Sequence, residues 1–133
     1  MPSVFDHLPV EGRGHAFEGL VRRRYGPGEF VLHQGGPPSA MFVIEQGSAD
    51  VLITDEEGVS HFVGRLSEGE TFGEMSMLTG NPVSASVRAA TVLDALQLDA
   101  DDLRRIGTAY PVLFHNLAAI LASRLARVQI APR

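Results

Sequence analysis

Phe72-Gly73-Glu74-Met75-Ser76-Met77-Leu78-Thr79-Gly80-Asn81-Pro82-Val83-Ser84-Ala85-Ser86-Val87 is the stretch from which the rest of the chain is read. It runs as a glycine hinge, one helical turn, a chain reversal and a strand. Gly73 can adopt backbone conformations closed to other residues, and Glu74 to Leu78 suit a first helical turn. Main-chain N–H groups lacking an intrahelical acceptor should therefore gather just past the glycine. That is an anion site in outline. Ser84 adds a hydroxyl, and Ala85 a backbone N–H with almost no side chain, on the strand that returns past the same spot. Donors are expected to converge there from two sides.

Working outward, residues 29–98 carry short apolar or alternating runs about every ten residues, with glycine between them. The runs are 29–33, 40–45, 48–53, 60–66, 84–90 and 92–98, a pattern that predicts a sandwich or barrel of short strands. Gln34-Gly35-Gly36-Pro37-Pro38, Glu45-Gln46-Gly47, Asp55-Glu56-Glu57-Gly58 and Ser67-Glu68-Gly69-Glu70 supply the turns. Asp55 to Gly58 predicts a hairpin joining Val51-Leu52-Ile53 to His61-Phe62-Val63, its charges keeping the tip in water, and no function is expected of it. Upstream, Phe5, Leu8, Phe17, Leu20 and Val21 fall at loose helical spacing broken by Pro9 and Gly12-Arg13-Gly14. Two short helices are expected in 1–26, the second near 15–24.

Downstream, 99–130 should hold two more helices. Asp99 can cap the first, with Leu103, Ile106 and Tyr110 on one stripe. Pro111 suits the first turn of the second, where Leu113, Leu117, Ile120, Leu121, Leu125 and Val128 share a face and Arg124 and Arg127 sit near the end. The face lacks a sustained heptad, which favours packing on its own domain over pairing with another helix.

Bulk properties narrow the function. A chain of 133 residues is read as one domain, 1–133, and 44% hydrophobic with 20% charged residues reads as soluble and globular. No run of apolar residues is long enough to span a membrane. Met1-Pro2-Ser3 lacks the layout of a secretory signal and cysteine is absent, so a cytoplasmic location is expected. The formal charge of −5 argues against nucleic acid as a partner, and Arg22-Arg23-Arg24 reads as a solvated face at a helix end. His7, His15, His33, His61 and His115 are isolated from one another, unlike metal ligands, and no nucleophile elbow, P-loop or dinucleotide motif is present. No enzyme is expected.

The 72–87 stretch resembles the phosphate-binding cassette of cyclic-nucleotide-binding domains, matching at Phe72, Gly73, Glu74, Leu78, Pro82, Ser84, Ala85, Ser86 and Val87. Pro27-Gly28-Glu29-Phe30-Val31-Leu32 then Gly35, Met41-Phe42-Val43-Ile44 then Gly47, and Gly69 to Glu74 are similar to that family's strand-and-turn pattern. The likeness covers about Phe5 to Leu125. It implies a mainly β fold with flanking helices, a double-stranded β-helix (jelly roll) over 27–98, with the short helix after Gly73 inside the roll and 111–128 as a mobile lid helix. It further implies that Gly73, Glu74 and Met75 N–H groups with Ser84 and Ala85 would hold a cyclic phosphate, and that the Glu74 carboxylate would accept a ribose 2′-hydroxyl.

One position departs. Where the family places the arginine that pairs with the phosphate, this chain has Val83. A hydrogen bond to a charged group contributes about 1.5–3 kcal/mol, so a cyclic monophosphate should bind some ten- to a hundredfold more weakly. Arg65 or Arg88 could substitute, although strand alternation sends Arg88 outward with Ser86. Three readings stay open. One is a regulatory module that takes cyclic AMP or cyclic GMP weakly if at all. Another is a cassette suited to a different ligand, such as a cyclic dinucleotide or an uncharged metabolite. The third is a degenerate domain that serves protein interaction or homodimerisation through 111–128. The family's transcription factors carry a helix-turn-helix domain after the lid helix, whereas this sequence stops at Arg133, so no direct DNA binding is expected and the output would fall to a separate protein or domain.

Overall fold

The computed structural model describes residues 19–109, 111, 112, 115 and 116. Its strands are β1 (Val21–Tyr25), β2 (Phe30–Leu32), β3 (Met41–Gln46), β4 (Ala49–Thr54), β5 (Ser60–Leu66), β6 (Thr71–Phe72), β7 (Ser86–Ala89) and β8 (Leu93–Leu98). Helix α1 (Glu74–Thr79) lies between β6 and β7, and α2 (Ala100–Ala109) follows β8. The strands form two antiparallel four-stranded sheets, ordered β1-β8-β3-β6 and β2-β7-β4-β5. This is the jelly roll that the family resemblance implied.

Side-chain alternation places the core. On β7, Val87 and Ala89 are buried while Ser86 and Arg88 are only half so, and Val87 and Ala89 meet Phe42, Ile44, Ala49, Phe72, Leu93 and Ala95 between the sheets. The Phe42 and Phe72 rings stack at 5.1 Å, fixing β6 against β3. Strand β3 is buried from Met41 to Ile44, because its other face and that of β8 carry Met41, Val43, Leu96 and Leu98, all nearly inaccessible. Helix α2 packs on β8 and buries Leu103 and Ile106. Its start is capped reciprocally, the Asp102 N–H donating to Asp99 Oδ1 at 2.7 Å and the Asp99 N–H to Asp102 Oδ2 at 3.1 Å. Asp99 was expected in that place.

The hairpin between β4 and β5 closes as the acidic turn predicts. Asp55 Oδ1 accepts the N–H groups of Glu57 and Val59, and the Gly58 N–H donates to the Asp55 carbonyl. No helix among the described residues is long and apolar enough to cross a membrane.

One expectation is corrected. Residues 21–24, read as the end of a helix, belong to β1, which pairs with β8 from Val21↔Gln97 to Tyr25↔Leu93. Arg22 pairs with Glu45 at 3.7 Å, the Arg23 side chain donates to Gln97 and Arg24 pairs with Asp94 at 2.7 Å. These partners sit on distant strands, so tertiary pairing overrode the local spacing of Leu20 and Val21. The three arginines do form a solvated face, held by cross-strand partners rather than by a helix dipole. The expected helix in the first eighteen residues lies outside the described residues, as does most of 111–128; Val112, His115 and Asn116 within the latter are helical.

Candidate functional site

Strand β6 delivers the chain to Gly73, which takes φ +81° as the residue before α1. A left-handed residue here turns the chain off the sheet edge and starts the helix within a single step. The first bond of the helical ladder runs from the Met77 N–H to the Gly73 carbonyl at 3.3 Å, and the Ser76 hydroxyl donates to the same oxygen at 3.2 Å. Glu74, Met75 and Ser76 thus supply the N–H groups that an α-helix leaves without an intrahelical acceptor. Gly80, also left-handed and seven residues after Gly73, ends α1 with its N–H on the Ser76 carbonyl at 2.9 Å.

The returning segment is strapped to the turn after β2. The Val83 N–H donates to the Gly36 carbonyl at 2.9 Å, and the Gly35 N–H donates to the Val83 carbonyl at 2.7 Å. Further along, the Gln34 N–H donates to the Ser86 hydroxyl at 2.9 Å. These bonds hold residues 83–86 opposite the start of α1. The arrangement leaves a pocket of about 250 Å³ between the two.

All of the residues singled out in sequence line it: Gly73, Glu74, Met75, Val83, Ser84 and Ala85. Their exposures differ in a way that assigns each a place. Glu74 is 1% exposed and Val83 7%, so a carboxylate and an isopropyl group form the inner wall, while Met75 and Ser84 stand at the mouth. Leu32, Val51, Leu66, Phe72 and Val87 add an apolar floor.

Neither Arg65 nor Arg88, the two arginines considered in sequence, lines the pocket. Arg65 Nε lies 2.8 Å from Asp50 Oδ1 and Arg88 Nη2 lies 3.8 Å from Asp50 Oδ2, while the Arg88 guanidinium also sits 5.9 Å from the centre of the Phe30 ring. Asp50, Arg65 and Arg88 are cross-strand neighbours in register, and the adjacent Val51 and Val87 face the pocket instead. Alternation sends Arg88 outward, as expected. No described basic residue lines the site.

The sequence did not single out Thr71 and Ser76, two buried polar residues of the lining, nor the Gln34-Gly35-Gly36 strap. Ser76 stands one helical turn after Gly73, a spacing that could have marked it. The strap uses backbone groups and carries no side-chain signal. Among the described residues no cluster of three or more His, Cys, Asp or Glu could hold a metal ion.

Comparison with known proteins adds independent findings. The family model described as cyclic nucleotide-binding domain matches residues 22–110. A cAMP-dependent protein kinase regulatory subunit from Mycosarcoma maydis is 35% identical over 124 residues, covering 93% of this chain and 22% of that protein. The cyclic AMP receptor protein of Thermus thermophilus is 33% identical over 122 residues, covering 92% of this chain and 56% of that one. The crystal structure of the Thermus thermophilus catabolite activator protein superposes with a TM-score of 0.89 at 31% identity, over 96% of this chain and 60% of that one. The chain therefore spans between a fifth and three fifths of the length of these relatives.

Proposed function

The chain belongs to the cyclic nucleotide-binding domain family, and from that premise we propose that it is a regulatory, non-enzymatic ligand-sensing module whose guest occupies the pocket between Gly73 and Ala85. Cyclic AMP or cyclic GMP binds there weakly if at all. The observation that carries this reading is the lining itself: the cassette residues surround one hollow, and Val83 fills the wall where the family sets its arginine. The N–H groups at the start of α1, with Ser84 and Ala85, present donors to the guest. Glu74 presents an acceptor suited to a ribose hydroxyl.

Size favours a single mononucleotide-sized guest over a cyclic dinucleotide, since about 250 Å³ lies just below the roughly 300–1,000 Å³ usual for small-molecule sites. The module acts in the cytoplasm, and its output passes to another protein or domain, which the partial coverage of its relatives accommodates.

Titration calorimetry with cyclic AMP and cyclic GMP tests the reading. The wild-type chain should bind no tighter than micromolar, and Val83→Arg should gain roughly ten- to a hundredfold, the value of one charge-assisted hydrogen bond. Sub-micromolar binding by the wild type overturns the account of Val83. A folded Val83→Arg protein that binds neither nucleotide favours an interaction module, whose concentration-dependent mass light scattering would reveal.

A further inference from the structure

We infer that the outer face of the β2-β7-β4-β5 sheet is a docking surface for a short acidic segment of a partner protein, held by Arg65 and Arg88 between Phe30 and Phe62. Register builds this face. Phe30 stands opposite Arg88, Arg88 opposite Asp50 and Asp50 opposite Arg65, so one row of side chains crosses all four strands. Directly opposed residues share a face of a sheet. Two residues along β4, Leu52 stands opposite Ser86 and Phe62 and continues that face. Val51 and Val87, between these positions, line the pocket on the other side. The surface is therefore independent of the pocket's guest.

Aromatic rings mark its two edges, with Phe30 41% exposed on β2 and Phe62 60% exposed on β5. His33 stacks on Phe30 with ring centres 5.0 Å apart and planes 16° apart, and the Arg88 guanidinium lies 5.9 Å from the Phe30 ring centre. Phe30 is thus presented as a held plane rather than a free side chain. Exposed phenylalanine beside arginine is a composition in which protein interfaces are enriched. The row spans three inter-strand spacings, about 14 Å, which is the reach of about four extended residues.

Charge sets the chemistry of the partner. Asp50, its side chain 10% exposed, accepts one hydrogen bond from Arg65, from Nε at 2.8 Å, while Arg88 Nη2 at 3.8 Å stands beyond hydrogen-bond reach. A guanidinium carries five N–H donors, and both of these are open to solvent. Within the row, two positive charges face one negative charge, on a chain of formal net charge −5. A carboxylate from outside balances that surplus and can take an arginine in bidentate geometry. Nucleic acid suits the face less well, because its binding rests on many neutralised phosphates and the surplus here is a single charge.

Fluorescence anisotropy with a labelled synthetic peptide, two phenylalanines each flanked by glutamates, tests the inference on the wild-type chain. The peptide should bind at low salt and more weakly as salt rises, and the same peptide with lysine for every glutamate should not bind. Arg65→Gln should weaken binding about tenfold. Asp50→Asn, which releases both arginines, should tighten it, a direction that a purely structural role for the row would not produce. Phe62→Ser changes an exposed edge residue and should weaken binding severalfold, a readout that survives if a variant in the charged row fails to fold by circular dichroism. No binding of the glutamate peptide overturns the inference, as does binding that Arg65→Gln and Phe62→Ser leave unchanged. Equal binding of a single-stranded DNA oligonucleotide also overturns it. A light-scattering mass that grows with concentration in the wild type but not in Phe62→Ser gives the face to a second copy of the chain and overturns it too.

Discussion

Gly73 passes so close to Ala40 that a Cβ built on the glycine would lie 2.6 Å from the Ala40 carbonyl oxygen and 3.2 Å from Leu32 Cδ1. The first of those neighbours is backbone and cannot turn aside. The residue also holds φ +81°, so any side chain adds backbone strain of about 1–3 kcal/mol to the steric conflict. Gly73→Ala should destabilise the protein by at least that amount and Gly73→Val by more, because a β-branched residue tolerates positive φ worst. Urea denaturation measures both, and a Gly73→Val protein with an unchanged midpoint would show that the hinge needs no glycine.

Gly47 and Gly58 separate backbone strain from crowding. Both have positive φ, 92° and 84°, yet a Cβ on Gly47 would overlap the Val92 carbonyl oxygen, whereas nothing lies within 4 Å of one on Gly58. Gly58→Ala should cost about 1–2 kcal/mol, the left-handed penalty alone. Gly47→Ala should cost clearly more, since the loops after β3 and before β8 must part to admit it. Equal melting temperatures for the two variants would contradict this ordering.

Much of the roll was legible because its central strands announce themselves. Met41-Phe42-Val43-Ile44 is an apolar run and Leu93 to Leu98 a mostly apolar one broken only by Asp94 and Gln97, and burial on both faces of β3 is what a continuous run requires. The strand Val21–Tyr25 was not legible, because three consecutive arginines erase alternation and its partners Glu45, Asp94 and Gln97 lie far along the chain. Thr71-Phe72 is too short to carry a period at all. At the site, glycine and serine marked Gly73 and Ser84 as unusual for a core. Leu32, Val51 and Leu66 carried no such mark, since an apolar pocket floor and an apolar core have the same composition.

Gln34 acts as an extra rung for β4. Its amide nitrogen donates to the Thr54 carbonyl at 3.0 Å, and its amide oxygen accepts the Thr54 N–H at 2.7 Å, while its own N–H reaches Ser86. One side chain therefore joins the turn that straps Val83 to the base of the β4–β5 hairpin. Gln34→Ala should cost roughly 1–2 kcal/mol for two lost bonds at an exposed position. Gln34→Glu can still accept from Thr54 but cannot donate, so about half of that loss is expected. Amide exchange at Thr54 should quicken in both variants, and unchanged protection there would deny the role.

Acid should weaken the β1–β8 pairing. The Asp94 carboxylate is held below its ordinary value of 3.8, chiefly by the hydrogen bond from Arg24, against a desolvation that works the other way and with that residue's charge as the least of the three causes. Asp55 is likewise lowered, mainly by the bond from His61 and then by the Val59 and Glu57 N–H groups. A carboxyl with a depressed folded-state pKa binds protons more readily when unfolded. Its contribution is therefore complete above the unfolded value and is lost as pH falls from there through the folded one. Denaturant midpoints followed from neutral to strongly acid pH should fall in that lower window, and Asp94→Asn should be less stable near neutrality with a shallower acid decline. Both sites are open to solvent, so the slope should also flatten in high salt. Parallel curves for the wild type and Asp94→Asn would show that the Arg24 pair adds nothing to the pH dependence.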